Sequence, residues 1–398
     1  MTGFKNLRST LGDEALRPFF PLAALHAALW PLLWTVAYGL SLPLAAAISP
    51  GTWHAGEMVL GTYGAALLGF ILTAVPEWTD TARLRGAPLF ALAALWGLGR
   101  CAGFLGADDP AWPVLFADAA WLLFLPAYVA GISWRKRTDR HLAFVGWLAA
   151  LAAAGIAGRL AAALGDDAAA REAFRLAGLI FLGLLGLALS RIAAPVTNRV
   201  LDPGLTTTPY RPHPGRRNLA PGLVALVVLG ELAGLSPGVS GWLLIAAGAA
   251  FLDRVGESFV GAELRHAEML ALAGSPLLSG AGLLLAGAAR LGAPWGEAAA
   301  LHLALMGGLG TGVLAVFAVA GLMHTGRDLP VPRATAWALG AAFGATLLRA
   351  LPDMGLISEP PGPAYGLAAA LWAAAFLVWL QAYWPMLSAP KRKSEEGC

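Results

Sequence analysis

Charge is what this 398-residue sequence has least of. Asp, Glu, Lys and Arg make up 13% of it, against about 25% in a soluble globular chain, which excludes an ordinary water-facing surface. Cysteine is nearly absent: Cys101 and Cys398 are the only two, too few for a disulfide framework and without metal-ligand spacing. Cys398 lacks a C-a-a-X context, so no lipid is assigned to it. The opening TGFKNLRSTLGDEALRP lacks an early apolar stretch with a small-residue cleavage site, so no signal peptide is expected to be removed. Basic runs are few. RKRTDR at 135–140 and KRK at 391–393 read as stop-transfer and headgroup-facing charges, and no nucleic-acid partner is expected.

What is present is apolar. The chain is 58% hydrophobic with a mean hydropathy of +0.66, and runs long enough to cross about 30 Å of hydrocarbon recur along it. Such runs must be helical, because lipid offers a backbone amide no other partner. The fold expected is all-α: a polytopic membrane bundle of about twelve helices, at roughly 18–40, 55–75, 87–106, 112–133, 142–164, 173–194, 219–235, 238–255, 267–289, 298–322, 334–351 and 363–387. The interval 195–218, rich in Pro, Gly and Thr, reads as a cytoplasmic linker. It would join a six-helix half at 1–194 to another at 219–390, followed by a polar tail at 391–398.

Counted on twelve spans, only Arg100, Arg159, Arg171, Arg175, Arg290 and Arg349 of the 27 Lys and Arg fall on one side. By the positive-inside rule the other side, with both termini, is expected to be cytoplasmic. Most of the 15 Trp are expected in an interfacial belt.

Ionisable side chains within spans are costly and mark function; here they gather at the two rims. His141 and His213 fall in loops, and His266 lies at an interface beside Glu268. His54 and His302 stand at the outer ends of the second and tenth helices, and His324 closes the tenth on the inner side, where His26 and His266 also lie. From 302 to 324 is roughly 33 Å along a helix, so one metal cannot take both. His54 and Met58 are four apart, as are His302 and Met306, and Glu57 follows His54 by three. An α-helix puts such neighbours on one face. Imidazole ligates haem iron, copper or zinc, thioether favours Cu(I) or a haem axial position, and Glu57 suits a hydrogen bond to a ring nitrogen. The plainer reading is interfacial histidines bonded to backbone carbonyls, with methionines filling gaps. Asp118 reads as an interhelical hydrogen-bond partner, Arg17 as snorkelling to headgroups or capping a cytoplasmic contact, and Glu231 as lacking an obvious partner.

RPFFPLAALHAALW (17–30), WHAGEMVLGTYGAALLGFILTAVPEW (53–78), SRIAAPVT (190–197) and LHLALMGGLGTGVLAVFAVAGLMHTGR (301–327) together resemble the NnrS family. These are haem- and copper-containing bacterial membrane proteins of the nitric oxide response. The resemblance covers nearly the whole chain. It implies haem b with histidine ligation and implicates His54, Glu57 and Met58 from the second helix and His302 and His324 from the tenth; of these, His54 and His302 are the preferred axial pair because both stand at the outer ends of their helices. His26 is next in line. The sequence departs from the family's W-H-A-H-E-M at Gly56, where the second His is missing, and from its tenth helix at Gly312 and Val319, where Met and Arg are expected. If the missing His binds copper in relatives, copper is the cofactor affected; if it binds haem, the whole cofactor assignment is.

The expected function is therefore a haem-binding protein of nitric oxide stress response or tolerance in a bacterial inner membrane, with copper as a further candidate cofactor and no reaction assigned. Two alternatives stand beside it. One is a twelve-helix secondary transporter, which two six-helix halves and a central loop would suit. The other is a cofactor-free relative acting as a partner subunit.

Overall fold

The computed structural model describes residues 2–106, 108, 111–204 and 206–391, so most of the polar tail lies outside the described residues. Every regular element among them is helical, as a backbone in hydrocarbon requires. A short helix α1 (Thr2–Gly12) precedes α2 (Leu16–Ala37), α3 (Pro50–Thr79), α4 (Ala87–Leu105), α5 (Ala111–Lys136), α6 (Leu142–Ala163) and α7 (Asp167–Leu201). Then come α8 (Leu219–Leu232), α9 (Pro237–Ser258), α10 (Ala267–Arg290), α11 (Glu297–His324), α12 (Arg333–Asp353) and α13 (Gly366–Leu387).

Among the described residues, eleven helices are long and apolar enough to cross a membrane, not the twelve expected. The exception is α8. It was expected over 219–235, but Gly234 turns the chain at φ +66°, and Ser236 caps the next helix by accepting from the Val239 amide at 3.4 Å. Fourteen residues remain, about 21 Å at 1.5 Å per residue, short of the hydrocarbon thickness. At the other boundary, α7 runs on through Pro195 to Leu201. Irregular chain therefore begins only at Asp202. Its carboxyl accepts from the Thr207 hydroxyl and amide and from the Thr206 hydroxyl, which hold it below the usual carboxylate range.

The chain forms two compact units, residues 1–178 with 380–391, and residues 179–379. In the first, α2 packs on α3 around Phe19, Phe20 and Trp30. Arg17, one of the residues expected to snorkel or cap, does the second: it is buried and donates to the carbonyls of Leu387 and Ala389, each at 2.7 Å. Leu387 ends α13, and its carbonyl is among those that a helix C-terminus leaves without an intrahelical donor. In the second unit, α9 and α10 cross at glycines. A Cβ on Gly287 would lie 2.4 Å from the Gly241 carbonyl oxygen, so the close approach demands glycine. Trp30, Trp121, Trp372 and Trp379 are fully buried, so a good share of the tryptophan is core rather than interfacial belt.

Candidate functional site

The motif WHAGEM lies where α3 changes geometry. Pro50–Gly56 is α-helical, Glu57–Tyr63 is a π-segment, and Gly64–Thr79 is α-helical again. Helix α11 repeats this arrangement: His302 ends an α-turn, and Leu303–Gly310 is π. Each π-segment offers a glycine carbonyl to a neighbouring helix. Trp96 Nε1 donates to the Gly61 carbonyl at 3.0 Å, and the Ser275 hydroxyl donates to the Gly308 carbonyl at 2.8 Å. A donor inserted into the helical ladder is one of the few causes of such a break, and π-turns concentrate at functional sites. The break also alters the expected His–Met faces. Met306 lies inside a segment bonded i→i+5, where a spacing of four no longer stacks two side chains as in an α-helix. Met58 packs against the Trp30–Ile48–Trp53 cluster, and its sulfur accepts from the Thr62 hydroxyl at 3.9 Å.

Beneath this break, α2 to α6 bring five ionisable side chains together, all buried. Asp118 accepts from Arg100 Nη2 at 2.7 Å, Arg159 Nε at 2.8 Å and Trp121 Nε1 at 2.9 Å. Glu57 accepts from Arg159 Nη2 at 2.7 Å, and its other oxygen lies 3.4 Å from both Arg100 Nε and His26 Nε2. His26 Nδ1 meets the Thr62 hydroxyl at 2.9 Å. Two guanidiniums thus face two carboxylates, which offsets the cost of burying each charge. Glycine makes the approach possible: a Cβ on Gly61 would sit 2.5 Å from the His26 ring, and one on Gly103 2.5 Å from a Glu57 oxygen.

Asp118 is therefore an interhelical partner, as the sequence suggests, but of two arginines that the charge count had simply assigned to one side of the membrane. These groups lie about one to three turns inside their helices, and all five are buried. The signal was present, since Arg100 and Arg159 each interrupt an apolar run, in WGLGRCAGF and GIAGRLAAA. Among the described residues Arg100 Nη1 is buried without a hydrogen-bond partner.

The remaining candidates are placed unit by unit. His54 stacks on Trp34 with ring centroids 4.2 Å apart and planes within 11°. His302 Nδ1 faces the Ala298 carbonyl at 2.7 Å. That bond requires the proton on Nδ1 and makes Nε2 the lone-pair nitrogen, the arrangement that commonly orients a metal-ligating imidazole. His26 has both ring nitrogens turned to Thr62 and Glu57, and so is not presented as a ligand. His324 ends α11, half-buried. His266 meets Glu263 at 2.9 Å and Glu268 at 3.8 Å. The partner that Glu231 was expected to lack is Arg290, which also holds Glu297 at 2.9 Å. No group of three or more His, Cys, Asp and Glu among the described residues is placed to hold a metal ion.

With this geometry in view, the comparisons identify the family. A family model described as NnrS protein matches residues 10–391, nearly the whole chain. The chain belongs to the NnrS family. No curated protein and no solved structure matches it.

Two of the positions where this NnrS-family chain departs from the motif pattern, Gly56 and Gly312, are tightly packed. At Gly56 a Cβ would meet the Phe174 ring at 2.9 Å. That ring also packs on Gly158, whose Cβ would lie 2.6 Å away, and carries the Arg159 guanidinium at 5.5 Å. Phe174 thus fills the space that a side chain at 56 would need. At Gly312 a Cβ would lie 2.6 Å from the Ser275 hydroxyl oxygen, so a methionine has no room there either.

Proposed function

We propose that this membrane protein serves the nitric oxide response as a haem-binding member of its family, with His302 and His54 as the iron-ligand candidates of their respective units. The observation that carries this reading is the Ala298 carbonyl at 2.7 Å from His302 Nδ1, which turns the lone pair to Nε2. Haem b would supply an iron centre able to take nitric oxide at an open or displaceable axial position. The protein's own part is to fix the imidazoles. Ala298 sets the His302 tautomer, and Trp34 sets the plane of His54. The buried carboxylate–arginine network holds the π-segment immediately after His54. Glu57 belongs to that network, so its role is to hold the helix rather than to touch iron. His324 is the second-choice ligand.

Copper fits less well. The motif position at 56 carries no donor, its space is taken by Phe174, and the thioethers of Met58 and Met306 are the soft ligands that remain. We infer cytoplasmic termini from the skewed Lys and Arg distribution.

The test is electron paramagnetic resonance and metal analysis on the detergent-purified protein and its H54A and H302A variants. Iron ligation by a histidine predicts haem in the preparation, little or no copper, and a changed iron signal in the variant that lacks that histidine. Unchanged signals in both would move the iron to another residue, and copper equimolar with the chain would refute the account of position 56.

A second reading, a secondary transporter, draws on the buried network, because intramembrane charges mark solute or proton pathways. Solute uptake by a colourless preparation from haem-replete cells would select it.

A further inference from the structure

Away from the histidines, a cavity of ≈ 410 Å³ opens where the end of α1 meets the loop before α4, lined by Arg8, Asp13, Arg85 and the ring of Phe90 among others. The contact is fixed by a backbone pinch: the Gly86 amide donates to the Gly12 carbonyl at 2.9 Å. Neither position takes a side chain readily. Gly86 has φ +66°, and a Cβ on Gly12 would stand 3.1 Å from the Phe90 ring. The pinch sets Arg8 and Arg85 at one cavity, with the Arg8 guanidinium 5.8 Å from the Phe90 ring centroid.

The neighbouring charges are already matched. Glu14 is buried and bridged by Arg83 at 2.6 Å, and it does not line the cavity. Among the described residues neither Arg8 nor Arg85 forms an ion pair, and Asp13 is the one carboxylate in the lining. The cavity thus presents two exposed guanidiniums against one carboxylate at the start of the first span and the end of the second. These two points lie on the same side of the membrane whichever way the chain is inserted.

We propose that this cavity binds the phosphate of an anionic phospholipid headgroup. Guanidinium forks match phosphate oxygens in pairs, and each basic residue near an anionic leaflet adds a measurable attraction. The Phe90 ring gives the headgroup an apolar wall. Asp13 opposes the ligand's charge, which sets a distinctive expectation: neutralising it should strengthen binding, whereas neutralising either arginine should weaken it.

The experiment is native mass spectrometry of the full chain in detergent, with phosphatidylglycerol, phosphatidylcholine or inorganic phosphate added separately. Phosphatidylglycerol adducts should outlast phosphatidylcholine adducts. Retention should fall about fivefold for each of R8Q and R85Q, rise in D13N, and stay unchanged in R137Q, which removes a basic residue from a different loop. Far-ultraviolet circular dichroism confirms that each variant is folded. If the two lipids are retained equally, or R137Q loses as much as R8Q, the cavity is not the site. If inorganic phosphate alone binds as well as the lipid, the lipid assignment is overturned.

Discussion

Asp118 shows how far a single side chain's role depends on residues remote in sequence. Its two guanidinium partners stand 18 and 41 positions away. Both are buried with it, so removing the carboxylate leaves two charges uncompensated in an apolar interior. D118N should therefore cost about 3–5 kcal/mol, read as a lowered melting temperature of the purified protein, and E57Q should act in the same direction. Glycine gives a sterically cleaner contrast. G61A must displace the His26 ring and should destabilise, whereas G97A meets nothing within 4 Å and should be neutral. At position 56 the prediction concerns coupling. G56A crowds Phe174 and F174A leaves a cavity worth about 3–5 kcal/mol, so the double variant should cost less than the two single changes together.

The elements were legible because apolar runs of about twenty residues leave the chain little choice but helix. Of the twelve expected, the short one was misjudged. ELAGLSPGVSG reads as a brief turn, but only the left-handed Gly234 and the Ser236 cap show how early α8 stops. The π-segments were not legible at all. Nothing in LGTYG or LMGGLG announces that Trp96 and Ser275, from other helices, will take the Gly61 and Gly308 carbonyls. The charge network was half legible: arginines inside apolar runs are a warning, but which carboxylate each one meets depends on how the helices are rotated and staggered. At this scale W96F and S275A are the informative changes. Each leaves a buried carbonyl without its donor and should cost about 1–3 kcal/mol, a loss visible as faster hydrogen exchange in the π-segment and absent from the far end of the same helix.

For the whole molecule, the parity of the crossings decides orientation, and α8 is the element in question. If its 14 residues span the bilayer with local thinning, reporter fusions to the N- and C-termini of the chain should report the same side, as the Lys and Arg distribution requires. Opposite sides would mean that α8 does not cross. Motif order carried the family across nearly the full length, and the match over residues 10–391 agrees. The ligand set was less accessible, because spacing names histidines without saying which nitrogen each presents. The central claim, that histidine-held haem is what this chain brings to the nitric oxide response, is tested most directly by the reduced-minus-oxidised absorption spectrum of protein purified from haem-replete cells. The account predicts a Soret band with sharp α and β bands that weaken or shift in H302A. A preparation without a Soret band, or bands indifferent to both His302 and His54, would contradict it.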